Sequence, residues 1–203
     1  RNVQVAAVSH GTLPGVQQIF ENCVMHIQYI NTVNLNGILG LQSGTITLKN
    51  SIIIIRDLVT YKGEGITFTH PDRLIAKNNI FAAHTNISWV PPSYGIGMWD
   101  CIDRVPRAFP DSPSIVENNY FSNNAMGRLD GRGVQVLNEI TRYRISNNII
   151  ARCSVGVRAL YPVMQGLSYN MFWSNTLNTN QNLSFGPGDT TANPMVVGKV
   201  EDT

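Results

Sequence analysis

Apolar and polar residues recur along the chain in a six-position phrase that aligns six times without an internal gap. Its copies are Phe20-Glu21-Asn22-Cys23-Val24-Met25, Leu48-Lys49-Asn50-Ser51-Ile52-Ile53, Ala76-Lys77-Asn78-Asn79-Ile80-Phe81, Val116-Glu117-Asn118-Asn119-Tyr120-Phe121, Ile145-Ser146-Asn147-Asn148-Ile149-Ile150 and Leu167-Ser168-Tyr169-Asn170-Met171-Phe172. The first position is apolar and the second polar or charged. The third and fourth are rich in Asn, and the fifth and sixth are apolar. Successive third positions lie 28, 28, 40, 29 and 22 residues apart. No long stretch places apolar residues at i, i+3, i+4 and i+7, so the pattern predicts strands and turns rather than helices.

A second phrase keeps phase with the first. Gly37-Ile38, Gly65-Ile66-Thr67-Phe68, Gly97-Met98-Trp99-Asp100, Gly133-Val134-Gln135-Val136 and Gly156-Val157-Arg158-Ala159 precede the next third position by 13, 13, 21, 14 and 13 residues. Two phrases in near-constant phase predict a repeat architecture in which one rung cannot bury its inner face alone. Rungs stacked about 4.8 Å apart pair each strand with its copies above and below. Like side chains then stack in columns. A corner Asn can take the left-handed backbone conformation, and its amide can hydrogen-bond along the stack.

Composition sharpens this picture. The chain holds 22 Asn and 17 Gly in 203 residues, which suits many tight turns. Charged residues are only 14% and hydrophobic ones 43%, too apolar for disorder. The net charge of +2 is scattered, with no basic stripe for nucleic acid. The apolar run Ile52–Ile55 stops at Arg56-Asp57, far short of a membrane span. Three cysteines (Cys23, Cys101 and Cys153) show no metal spacing and read as small core fillers or free thiols. The chain begins at Arg1 and reads as a segment of a longer protein.

The Asn corners flanked by apolar positions, with Gly-Ile and Gly-Val strands between them, resemble the right-handed parallel β-helix of the pectate-lyase-like superfamily over roughly residues 15–175. The resemblance implies an all-β fold of about seven rungs, each of three short strands, forming one domain over residues 1–203. The Gly-led strand would belong to the first sheet, the strand before Asn to the second and the strand after it to the third. In enzymes of this superfamily the substrate groove runs over the first sheet, walled by long connections. Here these would be loops 84–96 and 102–113.

That placement nominates site residues. A lyase needs a cation to neutralise a uronate carboxylate and a base to take the α-proton. A hydrolase needs two carboxylates about 5–9 Å apart. Asp100, Asp103, Arg104 and Arg158 are the candidate catalytic residues. Trp99 offers a stacking platform for a sugar, and Arg107, Arg128, Gln135 and His70 are candidate substrate contacts. Calcium would want several converging carboxylates, and the expected face offers only Asp100 and Asp103. The expectation is therefore no cofactor and no metal site, with calcium left open as an alternative that no carboxylate cluster supports.

Two function classes follow. The first is a secreted or cell-surface scaffold, structural or carbohydrate-binding, without catalysis. The alternative is a polysaccharide-degrading enzyme, lyase before glycoside hydrolase, with its groove over the first sheet. The expected partners are a polysaccharide or surface glycan, and further copies or domains meeting open coil ends.

Overall fold

The structure is a computed structural model that describes residues 7–10, 17–28, 34–42, 45–57, 62–68, 73–85, 98–105, 113–124, 131–136, 143–159 and 166–194. The described residues form three parallel sheets of seven, six and seven strands. Consecutive strands fall in the first, second and third sheets in turn, except that the last step, from Leu177–Thr179 to Thr190–Thr191, passes from the first sheet to the third, and each pairs with the strand one coil away. This is a parallel β-helix. Its interior is filled by columns in which each residue sits one rung above its like. Leu48, Ala76, Val116, Ile145 and Leu167 line up on the second sheet. Ile53, Phe81, Phe121, Ile150 and Phe172 do so on the third. All ten are buried, and the Phe81 and Phe121 rings stack with centroids 4.9 Å apart.

The corner between second and third sheets divides its work between two positions. Asn22, Asn50, Asn78, Asn118, Asn147 and Tyr169 all have φ between 51° and 58°. This is the left-handed region, where Asn is tolerated better than most residues. These third positions are exposed. The fourth position turns inward and carries the amide ladder. The Asn119 Oδ1 accepts from the Asn79 backbone N–H and from its Nδ2, both at 2.9 Å. Asn119 Nδ2 in turn donates to Ala76 O at 3.0 Å and to Asn148 Oδ1 at 3.0 Å. Asn148 and Asn170 repeat this geometry. Every hydrogen of each buried amide is thus used, which avoids about 1–3 kcal/mol per unsatisfied group.

The ladder is terminated by chemistry suited to each end. At one end Ser51 Oγ accepts from the Cys23 N–H and donates to Lys49 O. At the other Asp189 stands where another Asn would be. Its Oδ1 accepts from Asn170 N–H and Nδ2 at 2.7 and 3.0 Å, and its Oδ2 accepts from the Gly186 N–H at 2.8 Å. An ionised carboxylate only accepts, so the chain of donors stops there with none left over. Gly188 holds the left-handed position of this corner at φ 73°. A Cβ there would sit 2.3 Å from the Tyr169 ring, so only glycine fits. Leu183 packs against the core and Phe185 stacks on Phe172 at 5.1 Å.

Two expectations change, and one corner was not anticipated. The fifth position, apolar like the sixth, does not enter the core. Val24 is 63% exposed, and Ile52, Ile80, Tyr120, Ile149 and Met171 are half-buried. Strand alternation allows only one of two neighbours to point inward. The two long loops also begin later than expected. His84 and Thr85 belong to the Ile80–Thr85 strand, and Ile102 to Val105 belong to the Met98–Val105 strand. Finally, Arg152 and Ser174 have φ of 57° and 53° and form a second left-handed corner, after the third sheet. There Cys153 N–H donates to Asn175 Oδ1 at 2.8 Å, and Asn175 Nδ2 to Ile150 O at 2.9 Å. This tight corner shortens the connection, which explains the 22-residue step.

Candidate functional site

The first sheet is where the coils depart from regularity. Ile38, Ile66, Ile102, Val134 and Val157 occupy one row on successive strands, and Val134 and Val157 are fully buried. The Gly97-Met98 pair was expected in that row. Ile102 holds it instead, four residues later. The register places Cys101 where its neighbours have Gly65 and Gly133. An even shift keeps the alternation phase, so the pattern of the strand survives while its position along the sheet moves.

Past Ile102 the register slips. Ile102 pairs with Val134, and Val105 pairs with Val136. Asp103 and Arg104 together therefore stand opposite the single residue Gln135. This is a β-bulge, a device that bends a strand and re-aims its residues. Asp103 pairs with Thr67 on one side, and Gln135 pairs with Arg158 on the other. Four of the nine expected site residues (Asp103, Arg104, Gln135 and Arg158) thus share one row across three adjacent strands. With strands about 4.8 Å apart, this row spans roughly two rungs. Arg158 is half-buried.

The other expected residues are placed differently. Asp100 lies on the same strand but in an earlier row, opposite Glu64 and Arg132. Trp99 stands opposite Gly63 and Gly131. Asp100 is therefore separated from Asp103 along the strand rather than across rungs. His70, Arg107 and Arg128 lie outside the described residues, as do residues 86–96 and 106–112 of the two loops. Sequence reasoning missed Glu64, which the register sets beside Asp100. The signal was present in Gly63-Glu64-Gly65, immediately before the second Gly phrase.

The second sheet carries the clearest electrostatic group. The Glu117 carboxylate, 15% exposed, meets Lys77 Nζ at 2.9 Å and an Arg144 guanidinium nitrogen at 3.0 Å, and it accepts from Ser146 Oγ at 3.1 Å. Burial alone raises its pKa. The hydrogen bonds from Lys77 and Ser146, with the charges of Arg144 and Lys77, outweigh burial and hold it below the ordinary glutamate value. This cluster clamps three neighbouring rungs.

Among the described residues no three His, Cys, Asp or Glu side chains come together to hold an ion. Cys23 Sγ lies 3.4 Å from Glu21 O and Cys153 Sγ 3.4 Å from Ala151 O, each turned to its own strand's backbone. His26 stands opposite Ile54, and His84 opposite Arg56 and Asn124, so the register brings neither beside another histidine.

Comparison with known proteins gives one family. The model described as "Periplasmic copper-binding protein (NosD)" matches residues 16–193. No curated protein and no solved structure matches the chain. The family's description overturns the expectation that no metal cofactor is involved. Copper takes imidazole nitrogen and soft sulfur, and among the described residues no three His, Cys, Asp or Glu converge to supply such a set. The match spans every Asn corner and the bulged strand, and by it this chain belongs to the NosD family.

Proposed function

We propose that this chain is an extracytoplasmic β-helix scaffold that holds a glycan against the outer face of its first sheet and performs no chemistry on it. One observation supports the reading above others. The bulge in the Met98–Val105 strand sets Asp103 and Arg104 opposite Gln135, one strand from Arg158. Arg, Gln and Asp side chains hydrogen-bond hydroxyls and carboxylates in fixed directions. The strands that carry them lie about 4.8 Å apart, which spaces these different groups along a polymer crossing the rungs. The family description names the periplasm, where such polymers occur.

Titration calorimetry with a panel of uronate and neutral oligosaccharides tests this. Binding that weakens at least tenfold in Arg158→Ala, without product formation, is the expected outcome. No binding across the panel would sink the reading. Release of unsaturated products that Arg158→Ala abolishes would replace it with the lyase reading, since Arg158 would then neutralise or deprotonate the uronate. Family membership carries a second reading, copper binding. Stoichiometric copper uptake by the intact chain, unchanged by Arg158→Ala, would favour that one.

A further inference from the structure

The outer surface of the corner between second and third sheets bears two parallel columns. One is the exposed Asn column of third positions. The other is the fifth-position column, in which Val24, Ile52, Ile80, Tyr120, Ile149 and Met171 pair rung to rung without a break. Between them runs a shallow groove of about 360 Å³, lined by Asn78, Asn118 and Asn147 on one side and by Ile80, Tyr120 and Ile149 on the other. No charged residue lines it.

Asn79 and Asn119, at the floor of the groove, spend their amides in the ladder, but the exposed third-position amides are largely left over. Asn78 Nδ2 donates to Asn50 Oδ1 at 3.2 Å. The side chains of Asn118 and Asn147 make no hydrogen bond to another described residue. The fold requires only their left-handed backbone, so the exposed donors and acceptors repeat at the rung spacing of about 4.8 Å. Beside them lies a continuous apolar strip with one aromatic ring. A ligand for this surface must be extended, uncharged, polar along one edge and apolar on one face, with a repeat close to one rung. A protein strand does not fit, because the third sheet's inner strands already pair on both sides. An acidic polymer does not fit, because no cation lines the groove.

We propose that this groove is a binding site for a linear, neutral polysaccharide chain lying along the helix axis. Amides of Asn118 and Asn147 bond its hydroxyls, and Tyr120 with Ile80 and Ile149 carries the apolar faces of the sugar rings. The site is separate from the first-sheet surface and does not depend on it.

Calorimetric titration of the intact chain with cellohexaose and chitohexaose tests the proposal. Asn118→Gly with Asn147→Gly keeps the left-handed backbone while removing the amides. Tyr120→Ala removes the ring. Each is expected to weaken binding at least tenfold, the double glycine variant at an unchanged unfolding midpoint. Side-chain amide resonances of Asn118 and Asn147 are expected to shift on titration. Absence of binding to both oligosaccharides overturns the proposal. So does binding that the double glycine variant leaves intact, or that only Arg158→Ala weakens.

Discussion

The corner between the second and third sheets repeats six times without a gap, whereas the first sheet carries a shifted strand and a bulge. The same coils build both. At the corner each buried amide holds donors and acceptors from two neighbouring rungs, so a slip of one residue would orphan several groups at once. Across the first sheet the row of Ile38, Ile66, Ile102, Val134 and Val157 asks only for an aliphatic residue. Register there tolerates an extra residue, and Asp103 with Arg104 occupies the space that tolerance leaves. One part of the rung fixes the stack, and another part is left free to vary its surface.

The largest expected effect lies directly under the corner. Phe121→Ala removes a fully buried ring stacked on Phe81 and is expected to cost about 3–5 kcal/mol in urea unfolding. The ladder's terminus gives a finer test. Asp189→Asn keeps the acceptor for Asn170 but turns an N–H₂ toward the Gly186 N–H. A loss of about 1–3 kcal/mol follows from that unpaired donor. If Asp189→Asn were neutral, the acceptor-only account of the ladder's end would fail.

The exposed third position should respond to backbone conformation alone. Asn118→Val places a β-branched residue at φ 58° and is expected to cost about 1–2 kcal/mol, a penalty that Asn118→Gly avoids. Smallest is the Glu117 cluster. Its carboxyl pKa is lower folded than unfolded, so its contribution is present above the unfolded value and disappears as pH falls through the folded one. Unfolding midpoints measured across the acid range should show this loss in the native chain and lack it in Glu117→Gln.

The difference between the two regions also decides what could be read from sequence. The Asn corners were legible because two physical demands, a left-handed backbone and a buried amide, each call for few residue types. Which demand fell on which column was not legible, since Asn satisfies both. The corner at Arg152 and Ser174 was hidden because neither residue advertises positive φ. Gly188-Asp189 was missed because the ladder's last rung replaces the amide with a carboxylate. On the first sheet, Gly97 imitated the Gly phrase, and the row chose Ile102 because an aliphatic side chain suits the neighbours Ile66 and Val134. Gln135 and Arg158 were identifiable as residues of the first sheet, whereas Asp103 and Arg104 were expected in the loop 102–113 and lie in the Met98–Val105 strand. Their common row depended on a bulge that no local pattern announces.

Urea unfolding of the intact chain carrying either Asn119→Ala or Arg158→Ala tests this division most directly. Asn119→Ala strips partners from the Asn79 N–H and Nδ2 and from Ala76 O, all buried, and is expected to lose about 3–5 kcal/mol. Arg158→Ala, on the first sheet, is expected to stay within about 0.5 kcal/mol of the native chain. Equal losses for the two variants, or a larger loss for Arg158→Ala, would contradict the claim that the corner holds the stack and leaves the first sheet free for binding.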